Sequence, residues 1–556
     1  MQDAHSTASA PQPESPASRI LWTLLIAATL YVCYFSNLGV LGFVGPDEPR
    51  YAWIARAMAE TGDWVTPRLY GQPWFEKPVL YYWEAAVSFK VFGVSEAAAR
   101  LPSAFSALLG TLALAWLAWR IYGRDTARWF LIFLPSSVGM IGFSHAAATD
   151  MPFAGMITVA MVCAAVCLRL AQNEQTPILP RTPWLGLVGF GVFLGLAVLA
   201  KGPAAIILCG GATFIWAMFT KRWREAFRLL HPVAILAFCV TALPWYVLCA
   251  RRNPDFVRIF IIEHNFKRYL TPEFQHVQPF WYYVPVLLVA FLPWVATLLW
   301  SAIIAVREYR RTRQMHDATL FFLCWCSFCV VFFSTSHSKL PGYILPAFPA
   351  IGLLVARSVT VQRRTNRATY GVAFFIDALL LFLGIAYVDL ISRIGFHGSA
   401  PIAGTAGLVL LIFALANLFS ALFTKIASIP RPVFAVLTML AAVLAANAFA
   451  PKFFQLDPSG RTIARELAVR HIPGNQLFVA GMNRSLRYGV SFYLHDEVRE
   501  WGTSTQNGGY LLTGGKNCEQ VAGAGFYCEE QAFDAGHKTG RFLYLVIPIA
   551  GEESRR

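Results

Sequence analysis

Two aspartates, Asp47 and Asp150, lie next to long apolar runs, where a carboxylate meets the edge of a membrane. The stretch GPDEPRYAWIAR follows an apolar run at 20–43 that is long enough to cross a bilayer. In ATDMP, Asp150 opens another such run. Carboxylates flanked by cations can act as a general base, orient a substrate or stabilise developing positive charge. The structural alternative for Asp150 is a helix N-cap, because aspartate caps well before a first turn that contains proline.

Basic and aromatic side chains recur in the segments around these acids. Lys77 lies in WFEKP, Lys201 in LAKGP and Arg268 in EHNFKRY. Basic groups at membrane depth bind anions, so they either anchor the chain to lipid head groups or bind the phosphate of a lipid-linked substrate. Both interpretations stay open on the residues alone. The remaining candidates for such a binding site are Arg50, Trp74 and Tyr343.

Two further side chains are of the type that ligates zinc, Glu84 and His337. Glu84 follows Lys77 by seven residues, so the two share a face if Pro78 starts a helix lying in the membrane interface. The alternatives are a salt bridge for Glu84 and a loop hydrogen bond for His337. We therefore predict no obligatory cofactor and keep a divalent metal as a candidate.

The composition is that of a polytopic membrane protein: 56% of the 556 residues are hydrophobic and 14% are charged. We predict an all-α protein with about thirteen transmembrane helices. The predicted spans are 20–43, 97–119, 127–145, 148–170, 184–200, 203–220, 230–250, 280–304, 318–335, 341–358, 369–391, 401–424 and 431–450.

The formal charge of +15 comes largely from arginines and lysines that follow the even-numbered predicted spans, so it indicates topology rather than nucleic-acid binding. The positive-inside rule places those loops and the N-terminus in the cytoplasm. Residues 1–18 are polar and predicted to be disordered, and 19–450 form the membrane domain. The loops 44–96 and 251–279 then lie outside, with both aspartates.

The C-terminal region 451–556 differs in character and is predicted to be a small α/β domain on the outer side. NQLFVAG, SFYLHDEVREW and RFLYLVIPIA are typical of strands, and SGRTIARELAVR of an amphipathic helix with a serine cap. Cys518 and Cys528 could pair if this region faces an oxidising compartment.

The ordered motifs resemble the GT-C superfamily of membrane glycosyltransferases, in the branch that is similar to protein mannosyltransferases. DEPRY, WFEKP, TD, LAKGP, EHNFKRY with HVQPFWYY, and SHSKLPGYILP occur in that order over about 45–350. Within the branch, the chain looks most like the bacterial transferases that move 4-amino-4-deoxy-L-arabinose from undecaprenyl phosphate to lipid A. Proline at position 49 departs from the commoner DETRY form but leaves Asp47 and Arg50 in register.

The resemblance implies a transferase at the periplasmic face of the inner membrane that confers resistance to polymyxin. Asp47 and Asp150 would be the catalytic acids, and Arg50, Lys77, Arg268, Trp74, Tyr343 and Lys201 would surround the carrier phosphate. The implied partners are the undecaprenyl phosphate-linked sugar, lipid A and membrane lipids. The alternatives are a transferase of another sugar to protein or glycan, a lipid-linked sugar flippase, or a non-enzymatic scaffold.

Overall fold

A computed structural model of the chain describes residues 15–170, 184–267, 277–365, 459–502, 508–515, 518–523, 526–533 and 541–548. Within these ranges, seven helices are long and apolar enough to cross a membrane, and nine if each of two bent helix pairs counts as one span. Helices occupy each of the first ten predicted spans, whereas the last three predicted spans lie outside the described residues. The chain is therefore a multi-helix membrane protein.

The helices of the membrane part follow one another with short connections. They are α1 (Pro16–Tyr34), α2 (Asp47–Thr61), α3 (Leu80–Phe92), α4 (Glu96–Tyr122), α5 (Arg124–Phe133), α6 (Val138–Ser144), α7 (Asp150–Cys167), α8 (Trp184–Lys201), α9 (Ala204–Thr220), α10 (Trp223–Phe227), α11 (Pro232–Arg252), a π-helix (Val257–Lys267), α12 (Tyr283–Ala290), α13 (Val295–Thr312), α14 (Asp317–Thr335) and α15 (Phe348–Thr365). Short 3₁₀ helices lie at Arg228–Leu230, Phe280–Tyr282 and Pro341–Ala347.

The first helix is displaced towards the N-terminus relative to the prediction. It begins at Pro16, inside the segment predicted to be disordered, because the Ser15 hydroxyl accepts a hydrogen bond from the Ser18 amide and proline suits the first turn. It ends at Tyr34 rather than at residue 43, and the chain then turns towards α2.

Proline interrupts two of the predicted spans. Pro135 lies between α5 and α6, which meet at 66°, and Pro293 lies between α12 and α13, where the bend between Phe280–Ala290 and Val295–Thr312 is 118°. Proline lacks the backbone N–H that continues a helix and clashes with the preceding turn. Hydropathy alone merges each pair into one span.

The segment between α1 and α4 forms a compact outer layer. After α2, the two-residue strands β1 (Arg68–Leu69) and β2 (Gln72–Pro73) pair in antiparallel register, and an irregular stretch leads to α3. This helix begins at Leu80, so Lys77 precedes it. The prediction that Lys77 shares a helix face with Glu84 is therefore wrong.

The described C-terminal residues contain a five-stranded mixed sheet. Its strands are β3 (Leu477–Ala480), β4 (Arg499–Glu500), β5 (Gly509–Thr513), β6 (Phe526–Gln531) and β7 (Phe542–Pro548), in the order β4-β3-β5-β7-β6. Strand β3 is parallel to β4 and β5, whereas β7 is antiparallel to β5 and β6. Three helices accompany the sheet: α16 (Arg461–Val469), α17 (Arg484–Leu494) and α18 (Cys518–Ala522).

Two details of this region differ from the sequence predictions. SFYLHDEVREW is not a strand: its first half completes α17, whose residues Leu486 and Val490 pack under the sheet at helical spacing, and only Arg499–Glu500 is extended. The cap of α16 is Gly460, with the Ser459 hydroxyl accepting from the Arg461 amide. Cys518 and Cys528 form a disulfide.

Candidate active site

Helix α2 places two carboxylates in its first turn, where the partial positive charge of the helix N-terminus stabilises them. Successive helical residues point about 100° apart, so Asp47 and Glu48 face different surroundings. Pro49 is accommodated because the N–H groups of a first turn have no intrahelical acceptor. The replacement of threonine by proline in DEPRY therefore leaves the helix intact.

Glu48 is a buried structural acid. It forms an ion pair with Arg100 at 2.8 Å, and it accepts hydrogen bonds from the Val44 and Ala147 amides, each at 2.6 Å. The Arg100 guanidinium also donates to the backbone carbonyls of residues 38, 41 and 42. This saturated network ties the turn before α2 to α4 and to the turn before α7. Sequence reasoning did not identify it, since neighbouring acids cannot be told apart in the motif.

Asp47, in contrast, is half-exposed, with 52% of its side chain accessible. It accepts a hydrogen bond from Arg50, one turn later in α2. The buried Arg50 guanidinium also lies 3.1 Å from the carboxylate of Glu76, in the WFEKP motif. Burial opposes the charged form, but Tyr51 and the carboxylates of Glu76 and Asp47 raise the pKa of Arg50 above its usual value. Arg50 is thus a permanent cation between two acids.

Aromatic rings enclose the same guanidinium. The Arg50 carbon Cζ lies 5.3 Å from the ring centroid of Trp74, 5.5 Å from that of Tyr51 and 5.8 Å from that of Tyr488. Such distances are typical of cation–π contacts. The predicted neighbours Asp47, Arg50 and Trp74 therefore come together.

Three buried donors of this cluster have no hydrogen-bond acceptor among the described residues: Arg50 Nε, Trp74 Nε1 and Tyr82 Oη. Burial raises the pKa of Tyr82 above its ordinary value, so its hydroxyl stays protonated and able to donate. Buried polar groups are normally satisfied, and an unsatisfied donor costs roughly 1–3 kcal/mol. An oxyanion such as a phosphate is the type of ligand that such donors suit.

The second acid, Asp150, is the first residue of α7. The N-cap residue is Thr149, whose side chain makes no capping hydrogen bond, and the Asp150 carboxylate instead pairs with the Lys201 ammonium at 2.5 Å. Lys201 ends α8, and its Nζ lies 4.8 Å from the ring centroid of Tyr343. The N-cap interpretation of Asp150 is therefore wrong, and three predicted site residues, Asp150, Lys201 and Tyr343, form one cluster.

Gly342 leaves the space that the Asp150 carboxylate occupies. A Cβ atom at this glycine would lie 2.5 Å from Asp150 Oδ1 and 2.9 Å from the ring of Phe143. Sequence reasoning passed over this residue, although it lies directly before Tyr343 in the quoted SHSKLPGYILP motif.

The two acidic helix starts face the same end of the helix bundle. The bond from the Ala147 amide to Glu48 fixes the turn before α7 beside the first turn of α2. Asp47 follows an apolar helix and Asp150 precedes one, so both carboxylates lie where apolar segments end. The arrangement provides two acid–cation pairs, Asp47–Arg50 and Asp150–Lys201, at one end of the bundle.

The remaining predicted site residues are distributed around this region. Lys77 is half-buried and directly follows Glu76. Arg268 lies outside the described residues. His337 is exposed, in the short connection between α14 and the 3₁₀ helix at Pro341–Ala347.

Glu84 lies in an apolar groove of about 720 Å³ between α3 and α4. Its Oε2 is buried without a hydrogen-bond partner among the described residues, and burial raises the pKa of this carboxyl from 4.5 to about 8. No group of three or more His, Cys, Asp or Glu side chains in the described part of the chain is arranged to hold a metal ion.

The chain is similar in sequence to known glycosyltransferases. Residues 20–260 match the sequence model of the family described as dolichyl-phosphate-mannose-protein mannosyltransferase. The undecaprenyl phosphate-alpha-4-amino-4-deoxy-L-arabinose arabinosyl transferase of Enterobacter sp. is 33% identical over 348 residues, covering 62% of this chain and 61% of the relative. Transferase 2 of that name from Sodalis glossinidius is 35% identical over 368 residues, covering 66% and 64%. The predicted resemblance to these transferases is confirmed.

These curated relatives align with the chain over about three fifths of their own length. The likeness in fold extends further. The crystal structure of ArnT from Cupriavidus metallidurans bound to undecaprenyl phosphate superposes with a TM-score of 0.77 at 24% identity, covering 95% of this chain and 98% of that one. The chain therefore shares the fold of that membrane protein.

Proposed function

We propose that the chain transfers 4-amino-4-deoxy-L-arabinose from undecaprenyl phosphate to a phosphate of lipid A at the periplasmic face of the bacterial inner membrane. The observation that carries the proposal is the pair of clusters Asp47–Arg50–Glu76 and Asp150–Lys201–Tyr343 at one end of the helix bundle. The relatives named for this activity support the choice of sugar and carrier. The added ammonium group would offset phosphate charge on lipid A and so weaken the binding of polymyxin and other cationic peptides.

The carrier phosphate is the leaving group, and it gains negative charge as the glycosidic bond breaks. Cations that are already positioned stabilise such charge at little reorganisation cost. We assign Arg50, Lys77, Lys201 and Arg268 to this task, with Trp74 and Tyr343 lining the pocket. The unsatisfied donors Arg50 Nε and Trp74 Nε1 support a phosphate in the first cluster.

The two aspartates would act on the sugar and the acceptor. A lipid A phosphate is already an anion, so deprotonation of the acceptor contributes little. Asp47, with half of its side chain exposed, would orient the acceptor or the ammonium group of the sugar, or stabilise an oxocarbenium-like centre. Asp150 has the same choice of roles. Direct transfer from the carrier would invert the anomeric carbon.

The membrane arrangement belongs to the same proposal. Thirteen spans, a cytoplasmic N-terminus and a periplasmic C-terminal α/β domain would place both aspartates on the outer side. The basic residues that follow the even-numbered spans support this orientation. A divalent metal held by Glu84 and His337 stays a prediction without support from the described contacts.

An alternative within the same reaction class is the transfer of another sugar from a polyprenyl phosphate to protein or glycan. The match of residues 20–260 to the protein mannosyltransferase family favours keeping this alternative. A flippase is less compatible with the site, because transporters place ionisable groups near the bilayer midplane, whereas the acid–cation pairs here lie at helix ends. Sugar transfer by purified protein in detergent, with no membrane barrier present, would exclude a role restricted to transport.

The test is mass spectrometry of lipid A from a host that makes the carrier-linked aminoarabinose but lacks its own transferase. Wild type should restore the aminoarabinose mass increment, Asp47→Asn should abolish it, and Asp150→Asn should reduce it strongly. The control is Asp125→Asn, because Asp125 lies in the first turn of α5 and 60% of its side chain is exposed. Unmodified lipid A despite correct membrane insertion of wild type would reject the proposed acceptor and sugar.

A further inference from the structure

One of the rings around the Arg50 guanidinium belongs to the sheet region, that is, the described residues between 459 and 548. This ring lies more than four hundred residues from Arg50 in the chain. Tyr488 lies on α17 and is buried, and its ring faces the Arg50 guanidinium at 5.8 Å. The Tyr488 ring also stacks on that of Tyr70, in the outer layer between α1 and α4, with ring centroids 6.4 Å apart and planes 27° from parallel. A second guanidinium, that of Arg487, lies 5.3 Å from the Tyr488 ring centroid. The tyrosine ring therefore contacts two cations.

Several contacts fix α17 against the outer layer. The Tyr493 hydroxyl donates to Glu96 at 2.9 Å and accepts from the Phe43 amide at 3.1 Å. The rings of Phe43 and Phe492 meet edge to face at 4.8 Å. This part of the interface is buried and hydrogen-bonded, so α17 sits in a defined position.

Contacts at either side of α17 extend the interface. Arg461, at the start of α16, forms an ion pair with Glu96 at 3.0 Å, and His495 lies 3.1 Å from Glu60 of α2. The side chain of Ser459 fills the space that a Cβ atom at Gly42 would occupy. The sheet region is thus attached to the segments that flank Asp47 on both sides, and the position of Tyr488 over Arg50 follows from that attachment.

We infer that Tyr488 is a positioning residue for the transfer reaction: its ring holds the Arg50 guanidinium in the orientation that faces Asp47 and Glu76, so the sheet region forms part of the active site. The inference rests on the proposed function. An arginine over a ring face gains cation–π attraction, and enclosure by three rings restricts its rotamers. Without Tyr488, Arg50 would keep its charge but would lose one of the three rings that enclose its guanidinium.

The inferred role requires the ring of Tyr488 but not its hydroxyl, so variants that keep or remove the ring test it directly. Tyr488→Phe retains the ring, whereas Tyr488→Leu removes it and leaves an apolar side chain that is likewise not branched at Cβ. Tyr527→Leu is the matched control, because Tyr527 lies on β6 of the same region with 61% of its surface exposed. All three variants are made in the full-length protein, and apparent unfolding midpoints are recorded to establish that each is folded.

Two measurements separate this inference from the proposed function. The first is kcat and KM for aminoarabinose transfer in detergent. The second is the rate at which phenylglyoxal, an arginine reagent, modifies Arg50, followed by peptide mass spectrometry without any substrate. In wild type the Arg50 side chain is 10% exposed, so modification should be slow.

We expect Tyr488→Leu to lower kcat about fivefold to thirtyfold with little change in KM, and to accelerate Arg50 modification. Tyr488→Phe and Tyr527→Leu should match wild type in both measurements. Wild-type kinetics and labelling in Tyr488→Leu would overturn the inference while leaving the proposed function intact. Inactive wild type would reject the proposed function, and the labelling rates would still decide whether Tyr488 covers Arg50.

Discussion

The Asp150 carboxylate lies 2.5 Å from the Lys201 ammonium, although 51 residues separate them in the chain. Helices α7 and α8 run antiparallel, so the first residue of one meets the last residue of the other. Each charge also lies at the helix end that favours it, the acid at an N-terminus and the cation at a C-terminus. The pair is mostly shielded from water, so its members should be coupled strongly.

We predict that Lys201→Gln lowers kcat/KM for sugar transfer at least tenfold, because it leaves the Asp150 carboxylate without its cation. The double variant with Asp150→Asn should show a coupling energy on the order of 1 kcal/mol or more. Lys90→Gln is the control, since Lys90 is exposed on α3. Additive effects of the two substitutions would show that the ion pair has no functional role.

Substitution of the two neighbouring acids of α2 should have different effects: loss of stability for Glu48 and loss of activity for Asp47. Glu48→Gln leaves Arg100 as a buried cation without its carboxylate, so we expect a loss of stability of about 3–5 kcal/mol and little folded protein in membranes. Asp47→Asn should instead yield folded but inactive protein, because Asp47 is half-exposed. Fluorescence-detected size-exclusion chromatography after heating distinguishes the two. Equal thermal stability of Glu48→Gln and wild type would contradict the assignment of Glu48 as structural.

Glu84 should make the stability of the protein depend on pH. Burial raises its pKa from 4.5 to about 8, so the folded state binds a proton that the unfolded state releases between these values. Stability should therefore fall as the pH rises through this window, and Glu84→Gln should remove that part of the fall. The difference in unfolding midpoint between variant and wild type should grow from pH 5.5 to pH 8.5.

Asp63 provides the contrast for this experiment. Burial would raise the pKa of its carboxyl, but hydrogen bonds from the Thr66 and Val65 amides and the charges of Arg68 and Arg252 lower it below 3.8. The stabilisation that this carboxyl provides is complete above pH 3.8 and is lost only as the pH falls towards the lowered pKa. Asp63→Asn should therefore shift the midpoint equally at pH 5.5 and 8.5. A pH-independent difference for Glu84→Gln would show that Glu84 is ionised in the folded protein.

Gly342→Ala should impair transfer by displacing a carboxylate rather than by removing one. The new Cβ would lie 2.5 Å from Asp150 Oδ1, so the Asp150 carboxylate would be displaced from the position in which it pairs with Lys201. We expect at least a tenfold decrease in kcat, measured with purified enzyme. Gly142→Ala is the matched control, because a Cβ there meets nothing within 4 Å. Similar kinetics for the two alanine variants would mean that the Asp150 carboxylate tolerates displacement.

Much of the membrane part is predictable from the sequence because hydropathy acts locally. A run of apolar residues must form a helix in a bilayer, since every backbone N–H and C=O needs a partner. Helices accordingly occupy each of the first ten predicted spans, although α1 ends at Tyr34, nine residues before the predicted end. The bends at Pro135 and Pro293 escaped the prediction because hydropathy does not register the missing N–H of proline.

The sheet region was harder to predict. The pattern NQLFVAG yields a strand, but SFYLHDEVREW contains aromatic and β-branched residues that suit either a strand or a buried helix face. The first half of this segment forms a helix because it packs under the sheet as the end of α17, the helix that carries Tyr488. Nothing local distinguishes Tyr488 from the other tyrosines of the chain, which is why sequence reasoning did not include it in the site.

The sequence by itself determined the class of protein, most of the apolar helices and the residue types of the site: two aspartates, several cations and aromatic rings in an ordered set of motifs. Only the tertiary structure decided which acid of DEPRY is buried with Arg100 and which remains half-exposed, and which cation each aspartate meets. The physical reason is that helix formation depends on neighbours in the chain. Ion pairing and burial depend on the distances between side chains that folding brings together from distant segments.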